Sequence, residues 1–535
     1  MIFPRNRQLV DSLSAYDLRN ADNLVLLSDI LETLASNLAR DKELRVHMGS
    51  EEPEIWLPLV QLWSDIANAA DNDEDGGSQF CAVTVSLGKM LRNLVADVPL
   101  NQKYAFATEP FIRRLVHIHT SWTREKDETS HTVARILTQT LSNIVTTNDS
   151  LQNELLRTYL ALPEEQSVLI RLLASPDPRT VIAVLVLLLN CVRQDRGRAV
   201  LLCTATTSAR MCIVLLDRLE HLLDAPEESD EGKAFELGYT LLTNLFEYGL
   251  FEELYVRMDI PGEAVAPPQT TLLKLLDSHL QSAQKRNLSS PGPALGFPLV
   301  ARFFALSGYA QRAVRAALGD THGGSFDLQL PAVCAALVLV AQSLLAILLL
   351  NSSKPTSNSR EEPGTVPNPV ISSRAPEMNP RQLFSTCRSP DDGMGFVESL
   401  LETLRLLDVF LPRIQFGKPA GDPRRPASEG VGNPDAADGT GFAYLKRDLV
   451  RLLGALVHED RSMQDRVRMA EGIPVVLNLC VVDERNPYLR EHAIFALRNL
   501  LHRNAENQAA VEAIKPMGTW DEEGILRDVP GATRR

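Results

Sequence analysis

Leu91-Arg92-Asn93-Leu94 followed by Asn101-Gln102, and far downstream Leu497-Arg498-Asn499-Leu500 followed by Asn507-Gln508, are two copies of one phrase. In each, a Gln stands nine residues after the first Asn. Leu141-Ser142-Asn143-Ile144 with Gln152 keeps the spacing, and so does Leu453-Gly454-Ala455-Leu456 with Gln464, where Ala455 fills the Asn slot. Fainter copies carry Asn37, Asn190 and Asn244. The Asn positions 37, 93, 143, 190 and 244 are separated by 56, 50, 47 and 54 residues, and positions 455 and 499 by 44. A recurring step of this length, stretched where loops carry insertions, marks a stack of repeats, each too small to bury its own apolar face.

The last copy reveals the unit's internal grammar. Residues 464–470 read as a short helix. Gly472 reads as its stop in a left-handed conformation. Pro474 falls where a first helical turn accepts proline, and Val475, Val476, Leu477 and Leu479 make a second short helix. Asn486-Pro487 reads as a cap with proline at the first helical position. Leu489, Ala493, Ala496, Leu497 and Leu500 then recur at helical spacing. Two short helices and a longer third define an armadillo unit. The same order runs through residues 102–119, with Glu109-Pro110 as the turn. The fold class expected is therefore all-α, an armadillo/HEAT-like α-solenoid with long disordered insertions.

The composition suits that reading. Hydrophobic residues make up 44% and aromatics only 6%, a balance that favours helices packed by aliphatic ridges over β-sandwiches. The chain of 535 residues exceeds the roughly 250–300 that one core sustains. Its expected division is 1–255 and 256–351 as helical repeats, 352–392 as a flexible loop, 393–416 as a helix, 417–441 as a second loop, 442–516 as C-terminal repeats, and 517–535 as an irregular cap or short hairpin. The two loops are rich in Pro, Gly, Ser and Asp and lack apolar periodicity.

A net charge of −14 argues against nucleic acid as a partner, because phosphate recognition needs a basic footprint. The seven cysteines are scattered, with no C-x-x-C pair, which fits a reducing, cytoplasmic setting. Residues 332–350 are apolar except for Gln342 and Ser343, long enough to cross a bilayer. They lack paired interfacial aromatic anchors, and a helix apolar all round is also what a solenoid buries. A core helix is expected, not a membrane span.

The segment 446–514 resembles the C-terminal domain of the ataxin-10 family. The matching stretches include Asp448-Leu449-Val450-Arg451-Leu452-Leu453-Gly454, Gln464-Asp465-Arg466-Val467, Gly472-Ile473-Pro474, Asp483-Glu484-Arg485-Asn486-Pro487-Tyr488-Leu489, and Arg498-Asn499-Leu500 with Asn507-Gln508. Met463 and Ala455 stand where Asn is usual. The resemblance implies a non-enzymatic protein-protein interaction scaffold without cofactors, acting in cytokinesis, cell division and growth. A fungal member bears a name tied to copper transport, so a copper homeostasis factor is the alternative, beside a peptide-binding adaptor of another armadillo class.

No nucleotide-, zinc- or serine-hydrolase signature occurs. His117 and His119 point to different helix faces, and Cys191, Cys203 and Cys212 fall on different helices, so no metal site is expected. The candidate site is the Asn row: Asn37, Asn93, Asn143, Asn190, Asn244 and Asn499. An amide can grip both the N–H and the C=O of an extended peptide, or it can tie one repeat to the next; the sequence leaves both open. Gln464, Gly472, Pro474, Asn486, Pro487, Arg498, Asn507 and Gln508 are the structural residues of the family motif. Import receptors of this fold place Trp four residues before the Asn. Lys89, Gln139, Val186, Thr240 and Phe495 occupy those slots, which argues against basic import cargo. Ser289-Ser290-Pro291 and Ser389-Pro390 resemble kinase sites. The expected partners are other proteins, with their identity and the oligomeric state left open.

Overall fold

The computed structural model describes residues 5–14, 16–50, 54–72, 78–286, 293–319, 327–352, 380–411, 413–415, 418–420, 439–514, 518–520 and 526–528. Residues 289–291, 353–379 and most of 417–441 lie outside them. The described residues fall into two compact units, Met1–Met258 and Asp259–Arg535.

In the first unit, five long helices form one row: α1 (Ala21–Arg40), α2 (Cys81–Leu94), α3 (Glu128–Val145), α4 (Pro178–Val192) and α5 (Asp230–Glu247). Each packs on the next. A second row consists of Arg5–Ser14, Trp56–Asn72, Glu109–His119, Val168–Leu173 and Ser208–Leu222. Short first helices, such as Pro99–Ala105 and Asp149–Leu160, link one repeat to the following one. Leu87, Leu91, Leu137, Leu141, Val184 and Leu188 fill the space between rows and are almost wholly buried. Between the first and second helices near residue 109, the chain turns through a 3-10 segment, Phe106–Thr108, and the expected turn residues Glu109 and Pro110 instead open the helix. Proline there lacks only an N–H that the first turn would leave unpaired.

A backbone signature recurs at each junction. Asp97, Thr147 and Gln194 have φ of 57°, 58° and 63°. Each sits directly before the N-cap of the next first helix, and Gly249 does the same at φ 74°. A left-handed residue reverses the chain after the third helix. After Thr147 and Gln194 an Asn or Asp then caps the next helix: Asn148 Oδ1 accepts from Leu151 N and Asp195 Oδ1 from Arg198 N; Val98 and Leu250 stand at the other two N-caps without a side-chain bond.

The second unit repeats the arrangement. Its third-helix row is α6 (Pro267–Lys285), α8 (Leu330–Ser352), α10 (Leu445–Leu456) and α11 (Leu489–Leu501); its second row is α7 (Pro293–Gly319), α9 (Phe396–Phe410) and Gly472–Asn478. Before the first helices of its last repeats, the left-handed residues are Glu459 and Arg503. Helix α8 is the long apolar segment. It has the length and hydropathy of a membrane span, yet 78% of its most apolar window is buried, against α6, α7 and α10.

Two of the expected segments differ from the structure. The stretch 352–392 contains a helix, Pro380–Thr386, and a bridge between Arg388 and Gly395. Leu383 and Phe384 anchor it, and the Phe384 ring meets Phe396 at 4.9 Å. Two apolar residues are too few to show periodicity. The helix expected over 393–416 ends at Phe410 and gives way to a strand, Arg413–Gln415, paired antiparallel with Lys418–Ala420. Within 517–535, Gly518–Trp520 and Leu526–Asp528 pair as an antiparallel hairpin, one of the two forms expected there.

Candidate functional site

The Asn row lies on the third helices, and four of its members bond to the preceding repeat. Asn93 Nδ2 donates to Ala35 O at 2.9 Å, Asn143 to Arg92 O at 3.0 Å, and Asn499 to Gly454 O at 3.0 Å. Asn190 Nδ2 reaches the hydroxyls of Ser142 and Thr146 at 2.9 and 3.0 Å. One amide hydrogen of each is thus engaged between helices. Asn37 stands exposed on α1, and Asn244 is half-buried on α5.

The Gln nine residues later closes the other side of the joint. Gln102 Nε2 donates to Asn143 O at 3.0 Å and Thr146 O at 2.9 Å, at the end of the following third helix. Gln464 Nε2 likewise donates to Asn499 O at 3.0 Å and Val457 O at 3.2 Å. Terminal helix carbonyls have no intrahelical partner, so a buried Gln satisfies them. Its own carbonyl accepts from the next N-cap: Asn148 on Gln102 at 3.3 Å, Asn504 on Gln464 at 3.0 Å. Asn101 and Asn507 match in the same way. Each donates to the carbonyl seven residues back, Leu94 or Leu500, and to the preceding first helix, at Arg45 or Gln464. The joint is the same in both units. Gln508, beside Asn507, donates to Leu501 O at 2.9 Å.

The other motif residues hold the last repeats together. Lys446 is fully buried. Its Nζ lies 3.4 Å from Asp408 and 3.5 Å from Asp483, and it donates to Leu411 O. Asn486 Nδ2 donates to Asp483, while its Oδ1 accepts from Lys446 N. Asn486 is therefore a tie between repeats rather than a helix cap. The helix begins only at Leu489, after Pro487 and the left-handed Tyr488. Gly472 is also needed for a different reason than a turn. Glu471 takes the left-handed φ of 53°, while a Cβ on Gly472 would lie 2.7 Å from both Leu401 and Val467. Pro474 does sit in the first turn of Gly472–Asn478. Arg466 forms a bidentate pair with Glu398, both bonds 2.6 Å, and holds its carboxyl below the usual range against the opposing effect of burial.

Two surfaces remain open on the third-helix rows. In the C-terminal stack, Tyr444, Tyr488, Ile494 and Phe495 are exposed, Tyr488 by 70% and Phe495 by 50%. The Arg447 guanidinium lies 4.3 Å from the Tyr444 ring centroid. Arg447 and Arg451 both bond the buried Asp448, which also accepts from Gln342 at 2.8 Å. Burial, then Arg451 and Arg447, push the nearby His492 down. Arg498 is exposed on the same helix, α11. In the first unit, Val85, Lys89 and Arg92 of α2, Arg135 and Gln139 of α3, and Ile182, Val186 and Leu189 of α4 are partly exposed.

Neither surface resembles a catalytic or metal centre. Among the described residues, no group of three His, Cys, Asp or Glu side chains is placed to hold a metal ion. His119 is buried against Ser130 and pushed down to about 4, mainly by burial; His117 meets Glu165 O instead. Burial pushes the Cys191, Cys212 and Cys334 thiols up to about 12, the opposite of an activated or metal-bound thiolate.

The spinocerebellar ataxia type 10 protein domain matches residues 445–531. The ataxin-10 homolog of Dictyostelium discoideum is 43% identical over 74 residues, 14% of this chain and 12% of that protein. Ataxin-10 of Homo sapiens is 36% identical over 77 residues, 14% of this chain and 16% of that protein. The matches thus span about a seventh of the curated relatives. Two solved structures overlap most of the chain at low similarity. One comes from work on the interaction between cadherin and β-catenin, with TM-score 0.32, 12% identity, and 94% of this chain against 69% of that one. The other is SYS-1, with TM-score 0.33, 10% identity, and 96% against 95%. The joints built by Gln464, Asn486, Asn499 and Asn507 fall inside the matched segment, and through these last repeats, residues 445–531, the chain carries an ataxin-10 family domain.

Proposed function

We propose that the chain is a non-enzymatic scaffold that binds other proteins, and that it serves cytokinesis and cell growth in the cytoplasm. The observation that carries the binding role is the exposed Ile494 and Phe495 on the last third helix, with Tyr444 and Tyr488 exposed at the N-caps of α10 and α11. Large aromatic side chains beside arginines are the residue types that dominate protein interfaces. The rows beneath them are tied rigidly by the Asn and Gln joints, so the surface is presented with little ordering cost. The role in division rests on the family resemblance.

The test is affinity purification of the full chain carrying Tyr488→Ala and Phe495→Ala together. Both side chains are exposed, so the fold should persist. Loss of the proteins recovered with the wild type is expected; unchanged recovery would remove this surface from the mechanism. Depletion in dividing cells should produce cytokinesis defects, and normal division would refute that part of the proposal.

A further inference from the structure

Ser-Pro dipeptides occur in the chain at Ser175, Ser290 and Ser389. A proline-directed kinase needs the serine and the residues after it at the surface. Ser175 is only 8% exposed, and its Oγ accepts from Asp177 N at 3.3 Å just ahead of α4. Ser290 lies outside the described residues. Ser389 is half-buried, and Pro390, Asp391, Asp392 and Gly393 after it are all exposed. They form the tip of a turn closed by the Arg388–Gly395 bridge. Within it, Ser389 N donates to Met394 O at 2.8 Å and Gly393 N to Ser389 O at 3.0 Å. Gly393 supplies the left-handed φ of 70° at the reversal.

The Ser389 hydroxyl holds this tip together. Its Oγ accepts from Asp391 N at 3.4 Å. Asp392 Oδ1 accepts from Met394 N at 2.9 Å. That bond, with the one the Ser389 hydroxyl donates, keeps the Asp392 carboxyl below its usual range, so an ionised carboxylate stands directly beside the hydroxyl. The guanidinium groups nearby are engaged. Arg312 of α7 reaches Asp391 at 3.4 Å, and Arg315 of α7 bonds Glu402 of α9 at 2.7 Å. Arg388 acts on Glu398, the carboxylate that Arg466 pairs with. The turn follows helix Pro380–Thr386, where Leu383 and Phe384 are buried and Ser385 O accepts from Arg466 at 3.2 Å. Arg466 belongs to the ataxin-10 domain, so this helix and its turn lie against that domain.

We propose that Ser389 is a phosphorylation site for a proline-directed protein kinase, and that its phosphate opens the turn. Ser389 Oγ attacks the γ-phosphorus of ATP. The new O–P bond forms as the bond to the β,γ-bridging oxygen breaks, ADP leaves with that electron pair, and the hydroxyl proton passes to the kinase's base. The product carries about −1.5 to −2 charges at pH 7. It has no hydroxyl hydrogen to give Asp392, and it faces two carboxylates while each nearby arginine already has one. Like-charge repulsion of this kind loosens a segment. The segment set free is the one whose Ser385 O takes Arg466 of the ataxin-10 domain.

The test treats the full chain with a cyclin-dependent kinase, and separately with a mitogen-activated kinase, in the presence of ATP and magnesium. Mass spectrometry then locates the phosphate. Ser389 should be modified by at least one of the two, and the buried Ser175 by neither. Hydrogen exchange of peptides covering 387–396 should become about tenfold faster than in the untreated chain and return on phosphatase treatment. Asp391→Asn/Asp392→Asn keeps the Ser-Pro dipeptide and should take up phosphate with a smaller rise in exchange, which separates charge repulsion from simple loss of the hydroxyl. An equal rise in that variant overturns the repulsion account. Absence of phosphate at Ser389 with both kinases overturns the inference. So does phosphorylation that leaves exchange unchanged or slower, and so does equal modification of Ser175, which would mean that the kinases act on unfolded chain.

Discussion

Single amides carry the joints between repeats. Gln464 is buried and satisfies two carbonyls, those of Val457 and Asn499. Gln464→Leu would leave both unpaired away from water, at a cost of about 2 kcal/mol. Urea denaturation should show a lower midpoint for the second unit, and an unchanged midpoint would refute the clasp. Thr147 makes the opposite prediction. It is exposed, β-branched and held at φ 58°, a conformation that costs an L-residue roughly 1–2 kcal/mol. Thr147→Gly should stabilise the first unit by up to about 1 kcal/mol once the entropy of the unfolded glycine is deducted. A drop in its melting temperature would mean that the threonine side chain contributes a contact worth more than the strain.

Packing decides the outcome at the level of elements. Gly472 opens a second-row helix against Leu401 and Val467, with no room for a methyl group. Gly472→Ala should cost about 1–3 kcal/mol through overpacking, and Gly472→Ser should cost more because it also buries a hydroxyl; near-neutral variants would show that the two aliphatic side chains can yield. Helix α8 poses the membrane question. Its apolar face is already covered by α6, α7 and α10, so the full chain should partition into the carbonate-soluble fraction. Recovery in the pellet would mean that α8 leaves its helical neighbours for lipid.

A titration on α6 should register in the stability of the whole second unit. Asp277 on α6 is buried, its Oδ1 lacks a hydrogen-bond partner, and its Oδ2 accepts from Gln281 at 2.6 Å. Burial pushes it up to about 6; Asp448 adds to the rise, while Gln281 and Arg451 oppose it. A carboxyl whose folded pKa is raised favours the folded state while protonated. Its contribution is complete below the unfolded pKa and lost as pH rises through about 6. Asp277→Asn should therefore raise the urea midpoint at pH 8 by more than at pH 4.5, with a difference of order 2 kcal/mol. Equal effects at both pH values would place the carboxylate in a better-solvated setting than its burial indicates.

The repeat, its three-helix grammar and the buried Gln were legible because period and punctuation are local in sequence. Asn93 and Gln102 declare themselves by spacing alone. The partners of those side chains were not legible, since each bond joins residues about 40–60 apart. Gly472 shows the limit clearly. Its sequence context suggests a turn, but the reason it must be glycine is Leu401, on a helix of the preceding repeat. Asn486 is similar, because Lys446 and Asp483 claim a side chain that proline beside it made look like a cap. The sequence by itself determined that this protein is a run of helical repeats ending in an ataxin-10-type motif. The tertiary structure decided which amides are joints and which charges pair, because hydrogen-bond partners and electrostatic neighbours are set by packing between repeats and not by order along the chain.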